Sequence, residues 1–204
     1  MRAKGLSRKE VLARLKQIQA KDLSYKDGKI LCSMCTTPHP TARIAQRLFS
    51  ESNLGDIGLF PGSVQLEREV VSSLGELLHG KNSVGFIVSG GTEANLLAML
   101  AARNASSVKE PEVILPESAH FSFNKICSLL KVKPVFACLD KSFRVEPSSV
   151  TQLIGKNTIA IVASAGSAEL GAIDPIASLS KLALDYRVYL HVDAAFGGLV
   201  IPFF

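Results

Sequence analysis

Apolar positions change their period part-way along this chain. In the first eighty residues they recur at helical spacing. Val11, Leu12, Leu15 and Ile18 fall on one helical face, behind Ser7-Arg-Lys-Glu10, which has the form of a capping box. A second helix is expected over about 40–52, and a third over about 63–79. Val64, Leu66, Val70, Val71, Leu74, Leu77 and Leu78 give the third its apolar face. The joining stretches carry turn chemistry: Tyr25-Lys-Asp-Gly28, the stiff Pro38-His-Pro40, and the Gly- and Pro-rich loop from Asn53 to Gly62. Beyond that point short apolar runs alternate with helical stretches. Strands are predicted at Gly85–Ser89, Glu112–Leu115, Pro134–Leu139, Thr158–Ala163 and Val188–Val192. Helices are predicted at Thr92–Arg103, Ser118–Leu130 and Pro147–Ile154. A further helix should open with Asp174 as N-cap and Pro175 at its first position, and run to about Tyr186. Five strands with intervening helices predict an α/β domain on a mainly parallel sheet. Residues 1–62 read as a helical arm with entry loops, and 63–204 as the large domain.

Composition narrows the class. A hydrophobic content of 47% with well-mixed charge excludes a disordered chain. The apolar runs are too short to cross a bilayer, and the basic N-terminus has no apolar segment behind it, so a cytoplasmic protein without a membrane partner is expected. The net charge of +5 is unevenly placed. Residues 1–29 hold nine Lys/Arg against three Asp/Glu, and the remainder fourteen against fifteen. That surplus reads as the solvated face of an amphipathic helix. The body has no interleaved basic and aromatic track, so no nucleic-acid partner is expected. Cys32-Ser-Met-Cys35 has CxxC spacing, but no second pair completes a four-ligand metal site, and none is assigned. Cys127 and Cys138 lie in apolar stretches and read as small core residues.

Three segments carry candidate chemistry. Ser89-Gly-Gly-Thr92-Glu-Ala-Asn95 falls between a strand and a helix. Glycines let the backbone approach an anion, and a helix N-terminus offers free N–H groups and a positive dipole end. The segment is neither a Walker sequence nor a dinucleotide fingerprint, and glycine pairs also serve simply to close turns. His191-Val-Asp193-Ala-Ala-Phe-Gly-Gly198 places a carboxylate at the end of a predicted parallel strand, where α/β folds bind ligands. Among apolar neighbours it needs a donor or cationic partner: a protonated pyridine nitrogen on the functional reading, a loop N–H on the structural one. Ala119-His120-Phe-Ser122 follows another strand, and its imidazole is placed to stack on a flat ring or to serve the local fold.

Taken in order with Ala165-Gly-Ser-Ala-Glu-Leu-Gly-Ala-Ile-Asp174, these segments resemble the group II pyridoxal-phosphate (PLP) dependent decarboxylases, most of all their archaeal L-tyrosine/L-aspartate branch. Ser33-Met-Cys35, Asn53-Leu-Gly-Asp56 and Gly58-Leu-Phe60 share the likeness, which runs from about residue 6 to 204. The resemblance implies the large domain of a fold-type I PLP enzyme and removal of the α-carboxylate from an amino-acid substrate, L-tyrosine or L-aspartate. It implies that Gly91 and Thr92 hold the cofactor phosphate, that His120 and Ala195 lie against the two ring faces, and that Asp193 pairs with the ring nitrogen. It also implies a homodimer. Two departures stand out. Ser167-Ala168 replaces a Thr-Thr pair, whose second member would face the substrate carboxylate. The family's cofactor-anchoring lysine follows on a later strand, whereas no lysine here follows Lys181, so the chain reads as truncated and inactive unless a C-terminal half complements it. A cysteine desulfurase-like lyase and a degenerate, non-catalytic scaffold are the alternative readings.

Overall fold

A computed structural model of the chain describes residues 5–30 and 36–204, and these divide after Ser50 into two compact units. Cys32 and the Ser33-Met-Cys35 segment lie outside the described residues. In the first unit, α1 (Arg8–Gln19) starts on the expected capping box, with Ser7 and Glu10 each accepting the other's backbone N–H. Its apolar stripe, Val11, Leu12, Leu15 and Ile18, is exposed in this chain. A 3-10 turn at Tyr25–Asp27 closes on Gly28 at φ 65°, and α2 spans Pro40–Leu48.

The second unit opens with two successive Asx turns: Asn53 Oδ1 accepts from Gly55 N, and Asp56 Oδ1 from Gly58 N, both at 3.0 Å. α3 (Pro61–Leu77) follows, then α4 (Gly91–Ala105), β1 (Glu112–Pro116), α5 (Ser122–Leu130), β2 (Lys133–Ala137), α6 (Pro147–Leu153), β3 (Thr158–Ser164), α7 (Ile176–Tyr186) and β4 (Tyr189–Asp193). The strands form one parallel sheet in the order β2-β1-β3-β4. Side chains of successive strand residues leave on opposite faces and fill two cores. Val113 and Leu115 pack with Met99 and Ala102 of α4 and with Phe123, Ile126 and Cys127 of α5. Ile114, Ile161 and Ala163 pack with Val150 of α6 and with Leu179 and Ala183 of α7. Central β3 is buried along its whole length, as a parallel strand covered on both faces should be. Among the described residues no helix is long and apolar enough to cross a membrane.

Four expectations are corrected. Residues 85–88 have no regular secondary structure, Ser89 lies in a bend, and none of them joins a ladder among the described residues. Val84 is 95% and Phe86 80% exposed, and the Ile87 N–H goes to the Glu67 carboxylate of α3 at 2.8 Å. Apolar, β-branched composition favours a strand, but a ladder needs a neighbour that local sequence does not specify. α5 starts a turn later than expected, because Glu117 and Ser118 form a turn, Ala119 lies in a bend and His120 Nδ1 takes the Ser122 N–H. Cys127 is core, where burial pushes its thiol up to about 11, but Cys138 is exposed beyond the end of edge strand β2. Asp174 does not cap α7.

Instead Asp174 is buried at 4% exposure and acts as a clasp. Its carboxylate accepts from Ser164 N at the end of β3 and from Val145 N in the hairpin after β2, both at 2.7 Å. The backbone of Asp174 also donates to Ser164 O, closing the base of the 165–173 loop. Asp174→Ala leaves two buried N–H groups without partners. We expect a loss of about 3 kcal/mol, since each orphaned donor costs roughly 1–3 kcal/mol. Urea unfolding of the two proteins measures it, and a difference under about 1 kcal/mol would contradict the clasp.

Candidate active site

All four strands run the same way, so β1, β3 and β4 end together at one edge of the sheet, at Pro116, Ser164 and Asp193. α5, after β1, covers one face, and α7, after β3, covers the other. The winding direction therefore reverses between β1 and β3. In open α/β sheets the crevice outside the strand ends at such a reversal is the usual ligand site.

Asp193 ends β4, paired in register with Ser164. It is half-buried, and both its oxygens accept: Oδ1 from Ala195 N at 3.1 Å, Oδ2 from the Asn95 side-chain amide at 2.8 Å. The other end of that amide meets His191 Nε2 at 2.8 Å. Burial pushes the His191 imidazole below the usual histidine range, and the neighbouring Asp193 carboxylate opposes that shift. Asn95 belongs to α4, the helix opened by Gly91 and Thr92, so one bond joins the helix N-terminus to the carboxylate.

Gly90 stands at the cap position of α4 and no side chain caps the helix, which leaves its first N–H groups for another acceptor. The carboxylate that could have folded onto them, Glu93, is turned back onto Ser89. It accepts from Ser89 N at 2.8 Å and from Oγ at 2.6 Å, and these bonds hold it below the usual carboxylate range. The space here is open: a Cβ at Gly90 would meet nothing within 4 Å. A Cβ at Gly91 would lie 3.4 Å from the Ala195 Cβ, which brings the turn after β4 against the start of α4. That turn needs its own glycine. A Cβ at Gly197 would lie 2.1 Å from the Ala165 carbonyl oxygen, so the chain after Asp193 can press against the end of β3 only without a side chain there.

His120 is half-buried after β1. Ser122 reaches its Nδ1 through both Oγ, at 2.8 Å, and the backbone N–H, at 3.3 Å. Nδ1 is therefore the acceptor, and Nε2 is left for other contacts. The link from this segment to β4 runs through Phe123, whose ring meets His191 edge-on at 5.9 Å. Ser167 is buried and engaged in its own loop: Oγ accepts from Ala172 N, and its carbonyl from Gly171 N. Ala168 is exposed beside it. The structure thus bonds Ala195 to Asp193 and sets Ala195 beside Gly91, brings His120 to the same edge, and places Ser167 and Ala168 in the adjoining loop.

Asn95 and His191 have no assigned role in the sequence reading. The available signal was a polar amide on the Asn95-Met99-Ala102 face of α4, which is buried and otherwise apolar. A buried amide must have partners, and those partners lie nearly a hundred residues away.

A doubly wound α/β unit, with an uncapped helix N-terminus beside an anchored carboxylate at the reversal, has the architecture of a ligand-binding α/β domain. The profile described as the pyridoxal-dependent decarboxylase conserved domain matches residues 52–204, and the chain belongs to that family. It is 49% identical over 203 residues to a probable L-tyrosine/L-aspartate decarboxylase of Methanosphaera stadtmanae, covering 98% of this chain and 52% of the relative. It is 50% identical over 200 residues to a probable L-aspartate decarboxylase of Pyrococcus furiosus, covering 98% and 54%. Among solved structures, the sphingosine-1-phosphate lyase of Burkholderia pseudomallei superimposes with a TM-score of 0.86 at 29% identity, over 99% of this chain and 50% of that one. The chain spans about half the length of the curated relatives it matches.

The family's cofactor is PLP, and the donor set fits it. The open cradle at Gly90 and Gly91 suits a phosphate, and a carboxylate with both oxygens anchored suits a protonated ring nitrogen.

The buried His191 generates an acid dependence. Unfolding returns its pKa to the ordinary 6.5. Below that pH the unfolded chain takes up a proton that the folded chain resists. Stability therefore falls as pH drops through the ordinary value, and the loss levels off below the folded one. His191→Phe should remove this part of the dependence. Urea midpoints of both proteins from about pH 8 to about pH 5 check it, and parallel curves would contradict it.

Proposed function

We propose that the whole protein removes the α-carboxylate of an amino acid with PLP, giving an amine and carbon dioxide, and that residues 63–204 supply much of the cofactor-binding domain while 1–62 form an arm. The observation that carries this reading is the Asp193 carboxylate, bonded at both oxygens and tied through Asn95 to the helix whose uncapped N-terminus opens at Gly91. When bound, the cofactor supplies the sink for the electron pair left on the α-carbon. Gly91 and Thr92 hold its phosphate through helix N–H groups and the Thr92 hydroxyl. Asp193 accepts from the ring nitrogen and favours its protonated form. His120 and Ala195 confine the two ring faces. L-Aspartate and L-tyrosine are the leading substrates, on the strength of the relatives' names. The exposed stripe of α1 suits packing against a second subunit, and we infer a cytoplasmic location.

Titration of PLP into the 204-residue chain tests the cofactor roles. Binding should be weak and reversible, and borohydride should leave no single lysine stoichiometrically labelled. Asp193→Asn should weaken binding about tenfold, the scale of a hydrogen bond to a charged group. Unchanged affinity in that variant, or one fully labelled lysine, would overturn the assignment.

Ser167 and Ala168 are assigned to the neighbourhood of the substrate carboxylate. Ser167 Oγ already accepts a loop N–H, and Ala168 offers no donor. In the full-length protein Ala168→Thr should raise the decarboxylation rate constant by about tenfold, the worth of one added donor to a charged group. An unchanged rate constant would remove position 168 from the site.

A further inference from the structure

We propose that Asn95 is a positioning residue, a neutral amide that orients the Asp193 carboxylate and keeps its negative charge from being neutralised by His191. The proposal rests on the reading of Asp193 as the partner of the cofactor's ring nitrogen.

Asn95 is 4% exposed on a helix face whose other buried members, Met99 and Ala102, are apolar. A leucine would serve packing there equally well. An amide is worth burying only for its hydrogen bonds, and here each end makes one, at 2.8 Å to Asp193 Oδ2 and at 2.8 Å to His191 Nε2. The amide has one workable orientation. Asp193 Oδ2 accepts, so the amide nitrogen faces it, and the amide oxygen faces His191. Nε2 must then carry a proton. Burial disfavours the charged imidazole, and a neutral ring with its proton on Nε2 keeps its lone pair on Nδ1.

His191 and Asp193 are two residues apart on one strand, so their side chains leave the same face of β4. Without a group between them, a protonated imidazole and a carboxylate would be near enough to pair, and the charge of Asp193 would be satisfied within the protein. Asn95 occupies that gap with a group that cannot titrate. The chain His191–Asn95–Asp193 then carries a single formal charge, at the end facing the crevice. Ala195 N fixes the other oxygen, so the direction of the carboxylate is set from both sides.

The test uses the full-length protein and three variants: Asn95→Leu, Asn95→Asp, and Asn95→Leu with His191→Phe. Nitrogen-15 NMR of His191 in the cofactor-free wild type should show a neutral ring protonated on Nε2 at about pH 7. In Asn95→Asp the new carboxylate should convert it to the doubly protonated form at the same pH. Affinity for PLP should fall by about tenfold in all three variants, as for loss of one hydrogen bond to a charged group. The double variant separates positioning from packing, because it no longer buries an unpartnered imidazole N–H. If it binds PLP like the wild type, the role of Asn95 is structural and the proposal fails. A wild-type His191 protonated on Nδ1 also overturns it, and this measurement needs no variant to fold. Asp193→Asn distinguishes the two levels of inference. Unchanged PLP affinity there defeats the reading of Asp193 itself. Weakened affinity there, with wild-type affinity in the Asn95 variants, defeats only the present proposal.

Discussion

Placing a carboxylate in an apolar interior is unfavourable unless its oxygens are filled, and at Asp174 two backbone N–H groups fill them. No Lys or Arg pairs with it among the described residues. The arrangement settles more than one local turn. Ser164, one of the two donors, stands in register with Asp193 on the neighbouring strand. The next residue, Ala165, donates its N–H to the Asp193 carbonyl at 2.8 Å. Where β3 stops, and how the chain leaves it, therefore determines the platform on which the Asp193 side chain stands. The second donor, Val145, draws the hairpin after β2 to the same point. One buried side chain thus gathers the exits of two strands and the entry to α7 at the edge that faces the crevice.

The close approach of the chain on either side of this edge completes the platform. Gly197 lets the turn after β4 lie directly on the carbonyl of Ala165, and Gly166, at φ 94°, faces the Phe196 ring, where a Cβ would lie 3.0 Å from it. These contacts involve backbone and carbon atoms only, so they fix position without consuming polar groups. The first N–H groups of α4, which no side chain caps, stay open beside the Asp193 carboxylate.

Much of this architecture is written locally. The Ser7–Glu10 box begins α1, and prolines at 40, 61 and 147 sit in the first turns of their helices, where proline is tolerated. The buried runs 113–116 of β1 and 159–163 of β3 are apolar, as their two-sided covering requires. What escaped the sequence depends on distant partners. Asp174 followed by Pro175 has every local mark of a helix cap, yet two N–H groups brought in by tertiary structure take its carboxylate. Residues 85–89 have strand composition but no neighbouring strand among the described residues. The candidate residues were legible because their types and order resemble a family. Asn95 was not, because an amide in a helix is significant only once the strand that it meets is known.

The way residues 84–88 are held has a thermodynamic consequence. The Ser89–Thr92 turn continues directly from a segment secured by the Glu67 bond rather than by a ladder, whereas Asp193 is embedded in the sheet. The two halves of the crevice therefore differ in local unfolding free energy, the half at the start of α4 being the softer. A ligand that spans them immobilises the softer half, and part of its intrinsic affinity is offset by that loss of backbone entropy. Strand pairing along 84–88 would remove this penalty in advance, so ligand affinity and the ordering of a segment remote from the carboxylate are linked quantities.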